Sequence, residues 1–222
     1  MIVYCRCMCI IIVLLFVGMS CLFLACNSSH TPQGTVQMRF AVDTNYLEPV
    51  VIIFSTSSIQ FSVQAPKRFM LVDSTITKSV AERIRSTNPH DTVSILPLVM
   101  SASATTGSMM VISAVTFPLT SDDADTLMYR HHRLIDYKRI LYTKYDSTTI
   151  RTASFMKNDC MVEQFLITDS ATVNFRLLYL AGRKEFIQQD FIIPKKSYDE
   201  YTAKSLESSI GSFILLTHYL KR

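Results

Sequence analysis

Few residues in this 222-residue chain could do chemistry, and they are scattered. The densest group is Asp122, Asp123 and Asp125 followed by His131 and His132, within "SDDADTLMYRHHRLIDYKRIL" from Ser121 to Leu141. Carboxylates and imidazoles are ligand types that suit Zn or Mn. The same pattern has a plainer reading as helix chemistry. Ser121 is an N-cap, the three Asp fill a first turn where the helix dipole favours negative charge, and basic residues follow. Adjacent side chains on a helix point about 100° apart, so His131 and His132 are poorly placed to share one ion. Cys160 could act as a nucleophile if His90 or His218 activated it, but a free Cys is more often a small buried hydrophobe. Asp122 with Asp125, or Glu163 with Asp169, would work as an acid and base pair only where a cleft shifts their pKa values. No Gly-x-Ser-x-Gly elbow, Gly-rich phosphate loop or His-Glu-x-x-His motif occurs, and the chain has 5 Gly in all. The sequence therefore assigns no catalytic residue, no metal site and no cofactor.

The N-terminal segment is more informative. Met8 to Ala25 is a run of 18 uncharged residues, preceded by a single positive charge at Arg6. A membrane span needs ~20 apolar residues and a secretory core ~7–15, so length alone does not decide. The end of the run does: Ala25 is small, Cys26 follows it, and Asn27, Ser28 and Ser29 are polar. This resembles the lipobox of bacterial lipoproteins, in which the chain is cut before a Cys that is then diacylated. The resemblance makes Cys26 the lipidated residue. Phe23 and Leu24 depart from it, since the usual box has Leu and then a small residue there. A retained N-terminal anchor or simple secretion are the other readings, and all three place the rest of the chain outside the cytoplasm.

The expected organisation is a lipoprotein signal peptide at 1–25, a flexible tether at 26–35 and one domain at 36–222. Of the 6 Cys, Cys5, Cys7, Cys9 and Cys21 fall in the signal, leaving Cys26 and Cys160. A lipidated Cys26 leaves Cys160 without a partner, so the domain must be held by its core rather than by disulfides. The "CRCMC" spacing lacks the fourth ligand of a zinc site. Of 22 Lys and Arg only Arg6 lies in the signal, so 21 remain against 18 Asp and Glu, a net charge of +3. That balance, with no Lys/Arg block, excludes an electrostatic nucleic-acid binder.

The domain reads as strand-rich. "IQFSVQ" at 59–64 alternates, with Ile59, Phe61 and Val63 on one face. "MMVISAVT" at 109–116 is apolar on both faces, as a strand covered on two sides must be. "MVEQFLI", "ATVNFRLLYL" and "KEFIQQDFII", with short breaks between them, predict antiparallel hairpins from Met161 to Ile193. Helices are predicted over Ser74–Arg85, from Ser121 with Leu127, His131, Leu134 and Ile135 as one face, and from Ser197 with Leu206, Ile210 and Phe213 facing the core. Ser197 and Glu200 have capping-box spacing, and Tyr198 and Tyr201 are placed at the helix edge.

The order of these elements, and above all the stretch from Ala181 through "EFIQQDFIIP" to Ser212 and Phe213, resembles the Mog1/PsbP-like fold. The resemblance implies an α+β chain: an α/β/α layered domain with a mostly antiparallel central sheet. Residues 36–58 precede the matching part and are expected to add a hairpin or strand at its edge. Members of that family are mostly binding or accessory proteins, a fold-level analogy that names no single activity. The expectation is a membrane-tethered, non-catalytic envelope lipoprotein that binds a protein partner in an accessory, chaperone or immunity-type role. Its lipid would sit in the outer membrane, facing the periplasm. The alternative is an envelope hydrolase or metal-dependent enzyme whose site assembles only in the fold. An enzyme should gather polar side chains in a concavity, whereas a binder should show an exposed apolar patch or an open sheet edge.

Overall fold

The computed structural model describes residues 37–56, 59–87, 93–117, 127–146, 149–180 and 185–216, with side chains for all but Arg85, Thr87, 127–131 and Glu185. Along the chain come β1 (Leu47–Ser55), β2 (Gln60–Pro66), β3 (Met70–Leu71), α1 (Ser74–Thr87), β4 (Ser94–Ala102) and β5 (Met109–Thr116). They are followed by α2 (Leu127–Lys144), β6 (Ile150–Lys157), β7 (Cys160–Thr168), β8 (Thr172–Tyr179), β9 (Glu185–Pro194), α3 (Glu200–Ser212) and β10 (Ile214–Leu215). A seven-stranded sheet runs β3-β4-β5-β9-β8-β7-β6, and a second sheet runs β1-β2-β10. Every pair of neighbouring strands in both is antiparallel. The chain is α+β.

The strands form where the pattern demands cover. β5 and β9 lie in the middle of the large sheet, and β5 is buried on both faces: Met110, Ile112 and Ala114 turn one way and Val115 the other. The meander from β6 to β9 follows from short turns. Between β6 and β7, Asn158 and Asp159 both take positive φ, 49° and 61°. That is the backbone of a tight two-residue hairpin, and Asn and Asp tolerate it best after Gly. β4 was not predicted because Pro97 interrupts it. The strand survives by placing Pro97 at a break in register between Pro97 and Val99, where a lost N–H costs the ladder least. β6, "IRTASFMK", was also missed, because it is an edge strand whose first half is mostly exposed and polar.

Each face of the large sheet has its own core. One gathers Met110, Ile112, Leu177, Tyr179, Ile187 and Phe191 against Phe61 and Val63 of β2 and Leu206, Ile210 and Phe213 at α3. The other gathers Val115, Phe165, Ile167, Leu178 and Phe186 against Leu134, Tyr137 and Leu141 of α2. Within the described part of 36–58 the addition is one strand, β1, which pairs with β2, and β10 completes a small sheet. α3 lies close over β2 because its facing residues are small. Ser209 Oγ donates to Gln64 O at 2.7 Å, and Gln64 N–H donates to Ser212 Oγ at 2.9 Å. Gly211 is needed beside Phe40 and Val42, since a Cβ there would stand 2.8 Å from Val42 Cγ2.

Two helix details differ from expectation. Ile135 is exposed, because the buried stripe of α2 is Leu134, Tyr137 and Leu141 and the next residue is turned about 100° away. The cap of α3 is Asp199, which accepts Thr202 N–H at 2.8 Å, while Ser197 sits in a preceding 3-10 turn and donates to Thr106 O. Glu200 is then the first helical residue and pairs with Lys204 at 2.8 Å instead of closing a capping box. The Ser121 cap lies outside the described residues. α1 starts as expected, with Asp73 accepting Thr75 N–H, and extends to Thr87.

Phe213 is stacked on Tyr179 and Phe61 at 4.3 and 5.4 Å between ring centres, and is 1% exposed. Phe213→Ala is expected to cost about 3–5 kcal/mol, read as a lower urea midpoint with an unchanged slope. Ile76→Ser, on the exposed side of α1, is expected to shift the midpoint by less than about 0.5 kcal/mol.

Candidate functional site

Among the described residues, those whose types suggested chemistry do not converge. Cys26, His90, Asp122, Asp123, Asp125 and His218 lie outside the described residues, as does the side chain of His131. His132 is exposed on α2. Cys160 is half-buried at the start of β7, where its Sγ donates to Met161 O at 3.5 Å. Glu163 is buried in the middle of β7 and Asp169 is exposed in the β7–β8 turn. Six residues of strand, roughly 20 Å, separate them, so they are not an acid and base pair. Asp169 instead organises its turn, accepting from Thr172 Oγ1, Thr172 N–H and Ala171 N–H. Those hydrogen bonds, Thr172 foremost, lower its pKa. Among the described residues no group of three or more His, Cys, Asp or Glu could hold a metal ion.

A polar network that the sequence did not announce lies between α2 and the large sheet. Arg176 on β8 and Asp190 on β9 stand directly opposite each other, and the guanidinium grips the carboxylate twice, at 2.7 and 3.2 Å. Gln188 Nε2 donates to the same carboxylate, and Tyr137 OH of α2 donates to Gln188 Oε1 at 2.6 Å. Beside it, Glu163 accepts from Ser154 Oγ at 2.7 Å and pairs with Lys138 of α2 at 3.0 Å. Burial raises the Tyr137 phenol well above its ordinary range. Burial works against the charge on Arg176, but Asp190 and Tyr137 outweigh it and hold that pKa up. The signal in sequence was "QQD" between two apolar pairs of one strand: in a strand covered on both faces, such residues must find partners. Asp190 is occupied on both oxygens and Tyr137 on its hydroxyl, so the network holds α2 in register on the sheet.

The surface offers binding features instead. Val50 and Ile53 of β1 are 70% and 68% exposed, with Val51 also exposed between them. Met70 and Leu71 of β3 are 66% and 62% exposed, and Ile76 is exposed in the first turn of α1. β1 and β3 are both edge strands. Arg68, Asp73 and Lys78 are exposed around the second group.

Asp190→Asn leaves a buried guanidinium without its counter-charge and is expected to cost about 3–5 kcal/mol, whereas the apolar double replacement Arg176→Met with Asp190→Leu should cost far less. Chemical denaturation of the three chains measures this. Lys157 sets a pH dependence: it is buried, its Nζ donates to Phe213 O, and burial lowers its pKa to about 8. Between about pH 8 and the ordinary lysine value the unfolded chain binds more protons than the folded one, so stability rises with pH across that window. Burial raises Tyr137 and Tyr179, so stability falls again as the unfolded chain's tyrosines ionise near pH ~10. Lys157→Met should flatten the rise in a denaturation series without removing the later fall.

No family model matches the chain, and neither does any curated protein. Among solved structures it is similar to the solution structure of cyanobacterial PsbP (CyanoP) from Synechocystis sp. PCC 6803. The two are 14% identical with a TM-score of 0.46, over 74% of this chain and 92% of that one.

Proposed function

We propose that this chain is a membrane-tethered lipoprotein of the bacterial cell envelope that acts by binding another envelope protein. The observation that carries the reading is the pair of exposed apolar groups on edge strands, set against polar side chains that are occupied with one another. Soluble surfaces normally break up such groups, and where they persist they mark contact sites. For a protein partner the group at β3 and α1 is the suited one. Met70, Leu71 and Ile76 supply apolar contact, and Arg68 and Lys78 against Asp73 favour a partner whose rim is acidic. A lipid on Cys26 and a short polar tether would confine the domain near a membrane, which raises its effective concentration for a partner held there. In this reading Cys26 is the one residue that carries a modification, and neither cofactor nor metal takes part.

Complementation of a deletion strain tests it. Cys160→Ala, His131→Ala and His132→Ala, singly and together, are expected to restore function, and Leu71→Asp is expected to fail while remaining folded. Cys26→Ser should also fail, losing palmitate labelling and processing. An intact mass beginning at Met1 would overturn the lipidation, and loss of function in a folded, membrane-attached Cys160 or His131 variant would favour an envelope hydrolase or metal-dependent enzyme.

A further inference from the structure

The β1 edge has a different chemistry from the β3 edge. From Pro49 to Pro66 the chain carries no charged residue, so beyond Glu48 at the start of β1 the hairpin of β1 and β2 is uncharged. Edge strands are normally guarded by charge, proline, bulges or brevity. Here Pro49 and a break in register between Leu47 and Val51 guard the beginning of β1, and among the described residues the regular stretch Val51–Ser55 has no such guard. The other edges differ: β3 and β10 have two residues each, and β6 carries the exposed Arg151.

The backbone of that stretch is poised in one way. Thr56 N–H donates to Ile59 O at 2.7 Å, so Thr56 turns its backbone toward β2. Alternation along an antiparallel strand then turns Ile52 and Phe54 toward β2, and leaves the N–H and C=O groups of Val51, Ile53 and Ser55 on the free edge. The residues opposite agree. Val51 faces Gln64, whose N–H goes to Ser212 Oγ, and Ser55 faces Gln60, whose C=O takes Leu216 N–H; both point away from β1. The side chains divide likewise: Ile52 and Phe54 pack into the core, while Val51 and Ile53 stand on the outer face.

We propose that this edge pairs with the same edge of a second copy, antiparallel about a two-fold axis through Ile53, joining two three-stranded sheets into one of six. The axis brings Ile53 against the partner subunit's Ile53 and Val51 against the partner subunit's Ser55, so all three outward-facing residues are used. Two hydrogen bonds for each closely paired residue make about six across the joint. Self-pairing is favoured because the strand complements itself. It has no charge to repel its copy, the axis sends the two Glu48 side chains to opposite ends, and Pro49, which has no N–H to give, falls outside the paired residues. Such an interface is isologous and closes at two subunits. It is small, so association is weak in solution and strengthened by confinement on a membrane. The inference rests on the proposed membrane attachment but not on the proposed partner, which uses the β3 edge of the larger sheet.

Sedimentation of the full chain in detergent, with crosslinking on vesicles, tests the proposal. Wild type is expected to dimerise with rising concentration. Ile53→Lys and Ile53→Glu, each folded by circular dichroism, should be monomeric alone, since like charges would sit about 5.5 Å apart at the backbone. Mixed in equal amounts, these two variants should restore a one-to-one dimer, and Leu71→Asp should dimerise like wild type. Wild type that stays monomeric on vesicles, a dimer indifferent to Ile53→Lys, or a mixture that fails to recover would overturn the proposal. So would an Ile53-dependent complex with a different envelope protein and no self-association, and none of these outcomes bears on the Leu71 test of partner binding.

Discussion

The structure depends on a sheet whose middle strands are covered on both faces. β5, β9 and β8 have little side-chain surface exposed to water for most of their length, so most side chains on them are either apolar or matched. This constraint explains why Gln188 and Asp190 join one network on one face and Gln189 finds its partner on the other, instead of three separate losses. Gln189 turns to the α3 side and accepts from Tyr179 OH at 3.0 Å, while Gln188 and Asp190 turn to the α2 side. A buried ion pair of this kind is weak evidence for net stability, because desolvation offsets much of the attraction. Its effect is on register: Arg176 meets Asp190 only when β8 and β9 are aligned as they are, and Tyr137 reaches Gln188 only with α2 in place.

The two covers of the sheet differ as a result. The α3 side is held by stacked aromatics and by serines that let a helix approach a strand, an arrangement tolerant of little change in volume. The α2 side mixes an apolar stripe with hydrogen bonds and an ion pair at Lys138 and Glu163. Polar anchoring fixes where a helix sits but contributes less per contact than burial of large side chains. α2 is therefore the cover whose position is set by direction-dependent bonds, and α3 the one set by shape.

Much of this was legible in the sequence, and the exceptions have physical causes. Strict alternation at Ile59, Phe61 and Val63 and the two-faced run at Met109–Thr116 appear as strands because their burial is a property of the strand itself. β4 and the edge strand β6 were not, since Pro97 at a bulge and the polar first half of β6 make sense only against neighbours. Asn158-Asp159 is a hairpin signal readable in the sequence, and Asp199 caps α3 in place of Ser197 because the chain makes a 3-10 turn before the helix begins. The candidate site was least legible. Asp169 and Glu163 look alike as carboxylates six positions apart, and only pairing shows that one shapes a turn while the other is enclosed by Lys138 and Ser154.

The placement of unmatched surface follows from the same constraint. A sheet whose interior strands pair their backbone on both sides has its unpaired backbone at its edges, and an edge is a place where another strand or surface can add. A catalytic centre needs the opposite economy, polar groups held near a substrate but not consumed by one another. Here Asp190, Arg176, Glu163, Lys138 and Tyr137 are consumed, while Val51, Ile53, Met70 and Leu71 are left over. The uncharged edge at β1 suits a strand identical to itself, and the basic rim beside β3 suits a surface of opposite charge. Under the two proposals one edge holds a second copy and the other a partner, so self-association on a membrane would multiply the partner contacts of each assembly.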